Sequence, residues 1–199
     1  MGFSRGPKIV TDGLVLYLDA ANQKSYPGSG TTWYDISGKG KHFTLDGSGI
    51  TWNSAGYFTL ADGGASYAGS TSTSTTSTLV FWIRSTDNQS LFWEGNDGSY
   101  YLGAYRVGNK EYYNNCGTPQ FLLNTVDTAN IYDSFPTGTW SMLEFKSVNL
   151  STWTSSKFNK YASYTFGNGA VGSIMIYNRN LTAEESVQNY NATKSRFGL

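Results

Sequence analysis

The sequence has few of the side chains that bind transition metals or act as activated nucleophiles. It contains one cysteine, Cys116, and one histidine, His42. A single cysteine cannot form an internal disulfide, and a zinc site built from two or four cysteines is excluded for the same reason. No base lies close to Cys116 in the sequence, so a nucleophilic role for this thiol is not predicted.

Charged residues are scarce as well. They make up 14% of the 199 residues, whereas an average domain carries about 25%. The 14 basic residues balance the 14 acidic ones, so the formal net charge is zero. A nucleic-acid-binding protein needs an excess of Lys and Arg to displace counterions, so we expect no nucleic-acid partner.

Long apolar runs are also missing. None approaches the roughly 20 residues that span a bilayer, so we expect no membrane partner. The first residues lack the apolar centre of a secretory signal. We therefore expect synthesis in a cytoplasm without the usual export route.

Aromatic residues, in contrast, are abundant. The chain has 6 Trp, 15 Tyr and 11 Phe, which is enough to build a core. Gly, Ser, Thr and Asn dominate the rest, which argues against an all-helical fold. Short segments alternate apolar residues with the period of a strand, and we count roughly ten to twelve such candidates. The clearest lie at residues 14–18, 79–84, 90–94, 99–106, 140–148 and 170–177.

One segment near the C-terminus predicts a short helix instead. Thr182 and Glu185 have the spacing of a capping box, in which each side chain bonds a backbone N–H at the start of a helix. Val187, Tyr190 and Asn191 then fall on one side of the predicted helix. A late helix after many strands is typical of a β-sandwich with an accessory element.

The Ser/Thr-rich run at residues 70–78 has two interpretations. It is either a polar edge or surface loop inside one domain, or a linker between two domains. The predicted strand at residues 79–84 follows at once and Thr favours strands, which supports the first interpretation. The length of the chain also suits one domain over residues 1–199.

Three segments resemble a known family. They are GLVLYLDAAN at residues 13–22, SYPGSGTTWYDISG at residues 25–38, and IYNRNLTAEE at residues 176–185 with the closing residues 196–199. Together they are similar to the laminin-G-like, concanavalin A-like lectin/glucanase domains of bacteriophage structural proteins. The resemblance implies a concanavalin A-like jelly-roll sandwich of two antiparallel sheets, with one short C-terminal helix and with both ends of the chain meeting.

The same resemblance implies a non-enzymatic virion protein, in capsid decoration or as a tail or baseplate component. Its partners would be other virion proteins, in an assembled or oligomeric state. Its location would be the virion, after synthesis in the host cytoplasm. A neutral, tyrosine-rich surface suits such an assembly because it lacks long-range repulsion. Capsid and tail locations stay open.

The alternative is a carbohydrate-binding module for host recognition, with cell-surface glycans as partners. Sugars commonly stack on an exposed aromatic ring while amide groups bind their hydroxyls. The candidate rings are Trp33, Tyr34, Trp93, Tyr101 and Trp153. A second interpretation is open for each: the rings pack between the sheets or against a neighbouring subunit, with Trp33 under a loop and Asp35 capping a turn.

A glycoside hydrolase is the third function considered. It needs two carboxylates about 5–10 Å apart, and no Glu-x-Asp-x-Glu pattern occurs in the sequence. Glu94 lies at a turn and Glu144 lies alone, so we expect no catalytic residues. For calcium, the one cofactor considered, the best candidate ligands are Asp62 and Asp97, although their spacing does not indicate a dedicated cage.

Overall fold

Strands dominate the computed structural model of the chain. The structure describes residues 7–61, 63–85, 89–105, 110–128, 136–161, 164–165 and 169–199. In chain order its strands are β1 (Leu14–Asp19), β2 (Thr32–Trp33), β3 (Phe43–Asp46), β4 (Ile50–Asn53), β5 (Tyr57–Leu60), β6 (Gly64–Tyr67), β7 (Ser77–Ser85), β8 (Gln89–Gly95), β9 (Tyr100–Tyr105), β10 (Lys110–Asn114), β11 (Gln120–Leu123), β12 (Val126–Asp127), β13 (Ser141–Val148), β14 (Ser156–Phe158), β15 (Lys160–Tyr161), β16 (Tyr164–Thr165) and β17 (Gly169–Tyr177). One α-helix, α1 (Ala183–Thr193), follows β17 and continues into a 3₁₀ turn, Lys194–Phe197.

The strands form two large antiparallel sheets. The eight-stranded sheet has the order β12-β11-β13-β7-β17-β5-β4, with β1 also paired to β17. The seven-stranded sheet has the order β10-β9-β8-β14-β6-β3-β2. Strands β15 and β16 pair separately. The predicted all-β sandwich of two antiparallel sheets with one short C-terminal helix is confirmed.

An aromatic core lies between the two sheets. Phe81 of the eight-stranded sheet lies 5.7 Å from Trp93 and 6.1 Å from Phe158, both on the seven-stranded sheet, measured between ring centroids. Ile83, two residues along β7, is also buried. Side chains alternate along a strand, so this placement confirms the strand period at residues 79–84.

The outer face of the eight-stranded sheet carries helix α1. Thr182 caps the helix and Glu185 completes the capping box, as predicted. The side of the helix that faces the sheet differs from the prediction, because it buries Ser186 and Asn189 while Val187 is exposed. The sheet surface beneath the helix is partly polar, and polar helix residues match it.

Polar contacts join the helix to this sheet. The Ser186 hydroxyl donates to Glu144 Oε1 at 2.8 Å, and Lys146 Nζ lies 3.4 Å from the same oxygen. Burial raises the pKa of Glu144, and the Ser186 and Lys146 contacts oppose that rise. Asn189 Nδ2 donates to the Tyr177 hydroxyl at 3.1 Å. Glu144, which stands alone in the sequence, is therefore explained by helix attachment.

The two ends of the chain meet, as the resemblance implies. Strand β1 pairs with β17 along its length. The Val10 N–H donates to Asn189 Oδ1 at 2.8 Å, and Gln188 Nε2 donates to the Lys8 carbonyl at 2.8 Å. Arg179 bridges Asp12 and Glu185. Residues 8–12 are therefore fixed against the C-terminal helix and the turn before it.

Asp35 organises the loop that follows β2. Its carboxylate accepts backbone N–H groups from Tyr17, Ser37 and Lys41 at 2.9 to 3.0 Å. Burial alone would raise the pKa of Asp35, but these hydrogen bonds outweigh it and hold the pKa below its ordinary value. Trp33, beside this loop in sequence, is 1% exposed and packs edge to face on Phe58. The expectation that Trp33 is a packing residue and Asp35 a turn cap is confirmed.

Candidate functional site

A narrow groove of about 180 Å³ opens at the end of the sandwich where β1 and β4 finish. It is lined by Ala21, Gln23, Tyr26, Pro27, Trp52, Ser54, Ala55 and Gly56, and we call it the Trp52 groove. Two of the three segments that carry the family resemblance supply part of this lining.

Trp52 is held in position by its neighbours. It lies opposite Phe58 in the β4–β5 hairpin, and its indole N–H donates to the Ala20 carbonyl at 3.0 Å. Gly28 approaches the Trp52 ring so closely that a Cβ on it would lie 3.4 Å from the ring, and its φ of 96° favours glycine. The ring is half-buried, so it remains partly accessible from the groove.

Tyr26 fixes the other aromatic wall. Its ring packs 4.8 Å from the Phe58 ring and 5.9 Å from the Trp52 ring, measured between centroids. Its hydroxyl donates to the Gly30 carbonyl at 2.9 Å, which ties down the Pro-Gly-rich turn at residues 27–30. Both walls of the groove are therefore preformed, and a ligand would not have to order them.

A wider, polar depression of about 560 Å³ continues from the groove. Its lining residues are Asp19, Ala21, Asn22, Gln23, Lys24 and Arg196, so it shares Ala21 and Gln23 with the Trp52 groove. Arg196 pairs with Asp19 and also donates to the Gly56 and Gly172 carbonyls at 3.0 Å. The C-terminal segment thereby joins the loops on both sides of the groove.

This arrangement combines an aromatic wall with amide and ammonium donors. The Gln23 and Lys24 side chains are exposed at the rim. Asp19 is the one carboxylate that lines either depression among the described residues, and it is paired with Arg196. Stacking on a ring and hydrogen bonding to hydroxyls are the interactions that the site offers.

Three of the predicted sugar-binding rings lie in the core. Trp33 and Trp93 are each 1% exposed and Trp153 is 2% exposed. In this position none of them presents a ring face to solvent. The structure therefore places them as the second interpretation expected, packed between the sheets.

The other two predicted rings lie at the surface but far apart in the sheet order. Tyr34 is 42% exposed and makes an edge-to-face contact with His42 at 5.3 Å. Tyr101 is half-buried on β9, opposite Glu94. The structure does not bring the five predicted rings together into one site.

The predicted calcium ligands are not both described. Asp62 lies outside the described residues. Asp97 belongs to the 3₁₀ turn Asn96–Gly98, but the structure does not describe its side chain. Across the described ranges, no group of three or more His, Cys, Asp or Glu side chains is placed to hold a metal ion.

Two further side chains considered from the sequence are buried. Glu94 is fully buried, with Lys157 Nζ 3.7 Å from its carboxylate. Cys116 is also buried, and burial raises the pKa of its thiol to about 12. A thiol with that pKa is protonated at neutral pH and is a weak nucleophile.

Trp52 was missed as a candidate from the sequence. It sits in the segment ITWN at residues 50–53, which carries no turn or family signal of its own. Its place at a groove depends on Tyr26 and Ala20, which are distant in sequence. Gly56 lies four residues after Trp52 and indicates a nearby turn, so it was the one sequence signal that the ring lies close to a loop. In the structure Gly56 has a φ of 87°, as a turn glycine does.

Comparisons with known proteins identify the fold of this chain but do not assign it to a family. No protein-family model matches the sequence, and no curated protein is significantly similar to it. Within the described part of the chain, no helix has both the length and the apolar character to cross a membrane.

Solved structures do match. Trypanosoma rangeli sialidase in complex with sialic acid is 14% identical with a TM-score of 0.56, over 97% of this chain and 36% of the sialidase. Domain 4 of AbnA, a GH43 extracellular arabinanase from Geobacillus stearothermophilus, in complex with arabinotriose, is 13% identical with a TM-score of 0.62, over 94% of this chain and 100% of that domain. Botulinum neurotoxin type C, which interacts with two ganglioside molecules, is 14% identical with a TM-score of 0.52, over 92% of this chain and 52% of the neurotoxin chain.

These similarities show a shared β-sandwich fold. The chain spans about a third of the sialidase and about half of the neurotoxin chain, but all of the arabinanase domain.

Proposed function

We propose that this domain is a non-enzymatic carbohydrate-binding module that binds a neutral oligosaccharide in the Trp52 groove. The observation that carries the proposal is the half-buried Trp52 ring, fixed by its N–H bond to Ala20 beside exposed polar side chains. A pyranose or furanose ring would stack on Trp52 while Gln23 and Lys24 bind its hydroxyls.

The fold comparisons support a binding role. The arabinanase domain that matches over its whole length was solved with arabinotriose, and the neurotoxin interacts with gangliosides. The proposal gives Asp19 no bond-breaking role, because its carboxylate is paired with Arg196.

The experiment is calorimetric titration of the protein with arabinotriose and a panel of neutral oligosaccharides. Trp52→Ala is expected to weaken binding about tenfold or more, because it removes the stacking surface. Gln23→Ala is expected to weaken binding by a smaller factor and to leave the melting temperature unchanged, since the Gln23 side chain is exposed.

Tyr34→Ala is the matched control, since it removes another exposed ring outside the groove. Its affinity should equal that of the parent protein. Equal affinities for Trp52→Ala and the parent, with a loss in Tyr34→Ala, would move the site to the loop at residues 34–42. An absence of binding to every neutral sugar at millimolar concentration would overturn the proposal.

A second candidate is favoured by the three segments that resemble phage structural proteins. We propose that the chain is a virion component in capsid decoration or in a tail or baseplate. The segments lie together in space: Asp35 accepts from the Tyr17 N–H, and Leu14 pairs with Tyr177 between β1 and β17. Mass spectrometry of purified particles tests this candidate, and absence of the chain from intact particles would remove it. Both functions are compatible in one protein.

A further inference from the structure

Helix α1 covers only part of the outer face of the eight-stranded sheet, and two exposed threonines lie on the rest of that face. Four residues there lie directly opposite one another in adjacent strands: Thr51, Thr59, Ala170 and Arg84. Directly opposite residues of antiparallel strands point to the same face, so these side chains form one row. Thr51 and Thr59 are exposed and Arg84 is half-buried, whereas the small Ala170 between them is buried.

Two aromatic rings flank the end of this row. The Arg84 guanidinium lies 5.2 Å from the Tyr57 ring centroid and 5.4 Å from the Trp140 ring centroid. The two rings contact each other edge to face at 5.6 Å, and all three side chains are half-buried. We call this set of residues, with Thr51 and Thr59, the Arg84 patch.

Arg84 differs from the other described arginines in its partners. Arg179 pairs with Asp12 and Glu185, and Arg196 pairs with Asp19. No carboxylate of the described chain forms an ion pair with Arg84. The rings hold the guanidinium by cation–π contact, and its charge has no carboxylate partner among the residues that the structure describes.

A half-buried guanidinium that has no carboxylate partner within the described chain can bind the carboxylate of a ligand. Its planar array of N–H donors matches the two oxygens of a carboxylate. Half-buried rings beside it provide apolar surface, and the row of threonine hydroxyls provides hydrogen-bonding groups along the sheet. A sugar that carries one carboxylate fits this combination. Its ring would contact the aromatic surface, its hydroxyls the threonines, and its carboxylate the guanidinium.

We propose that the Arg84 patch is a second binding site, specific for the carboxylate of an acidic sugar residue such as a uronic acid. An acidic peptide is disfavoured because it would need several positive charges, and Arg84 is the one cationic side chain among the described members of the patch. The site is separate from the Trp52 groove and does not depend on the function proposed there.

The experiment is titration with trigalacturonate, followed by calorimetry and by the Arg84 Nε–Hε resonance in nuclear magnetic resonance spectra. Trigalacturonate should bind and shift that resonance in the parent protein. Arg84→Gln should weaken binding about tenfold or more. Arg84→Lys should recover part of the affinity, because it restores the charge without the planar donor array.

Lys39→Gln is the matched control, since it removes one positive charge from an exposed loop elsewhere. It should bind trigalacturonate as the parent protein does. Trp52→Ala should also keep this binding, while Arg84→Gln should keep binding of neutral sugars, so that failure of one site does not imply failure of the other.

Three outcomes would overturn the proposal. One is trigalacturonate binding that Arg84→Gln leaves unchanged. Another is an Arg84 resonance in the folded parent protein that does not respond to millimolar trigalacturonate. The third is binding of a glutamate-rich peptide, but not of trigalacturonate, which would assign the patch to a protein partner.

Discussion

Four of the six tryptophans form two groups that are held by different forces. Trp33, Trp93 and Trp153 lie in the interior, and the N–H of each finds no acceptor in the described part of the chain. Trp52 lies at the rim, and its N–H is bonded to the Ala20 carbonyl. Inside the core, the free energy gained by burying the large ring exceeds the cost of leaving its N–H unpaired. At the rim, the hydrogen bond fixes the orientation of the ring.

Magnitudes support this difference. Burying an aromatic side chain removes about 150–250 Å² from water, which is worth roughly 4–6 kcal/mol at 25 cal/mol per Å². An unpaired buried polar group costs about 1–3 kcal/mol. The interior rings therefore stabilise the fold despite their unpaired N–H groups, and the rim ring is free to serve binding.

The largest expected effect is on the interior group. Trp93→Ala should lower the free energy of unfolding by about 3–5 kcal/mol, because it leaves a cavity against Phe43, Phe81 and Phe158. Trp93→Phe should cost clearly less, since it also removes the unpaired N–H. Urea denaturation measures both. Equal losses for the two variants would show that the indole N–H has a partner.

The next effect concerns the polar loop supports. Asp35→Asn should lower the free energy of unfolding at pH 7 by about 1.5–3 kcal/mol, since charge-assisted hydrogen bonds weaken. The folded-state pKa of Asp35 lies below its ordinary value of 3.8, so its stabilisation is present above that pH and is lost as pH falls through the folded-state pKa. The difference between parent and variant should therefore shrink in acid, as measured by denaturation at pH 7 and pH 3. A constant difference would contradict this account.

The smallest stability effect is expected at the rim. Trp52→Phe keeps a ring but loses the bond to the Ala20 carbonyl, so it should lower the free energy of unfolding by about 0.5–1.5 kcal/mol. Its affinity for a neutral sugar should fall, whereas Trp93→Phe should leave that affinity unchanged. The opposite pattern would mean that the two groups of tryptophans do not have separate roles.

Local pattern was sufficient to predict the longest elements. Alternation predicted β1, β7, β13 and β17, and the capping box predicted the start of α1. These signals act over a few residues, through strand alternation and helix-end hydrogen bonding. The inward placement of Phe81 and Ile83 followed from the same period.

The candidate sites could not be predicted in the same way. Trp52 lies at a groove because Tyr26 and Ala20 approach it from another loop. Arg84 has no carboxylate partner among the described residues because Ala170 lies opposite it on β17, and the paired Trp82 and Met142 come next on that face. These arrangements depend on pairings between distant segments. Composition and local residue spacing carry no information about such pairings. The exposure of Val187 has the same origin, since the polar groups beneath α1 belong to β13 and β17.

The central position of β17 has a consequence for synthesis on the ribosome. This strand pairs with β7, β5 and β1, all of which are translated before it. Their edges on that side must wait unpaired until β17 has emerged, and a nascent chain with open edges is prone to aggregate. Closure of the eight-stranded sheet therefore depends on its last strand to be synthesised.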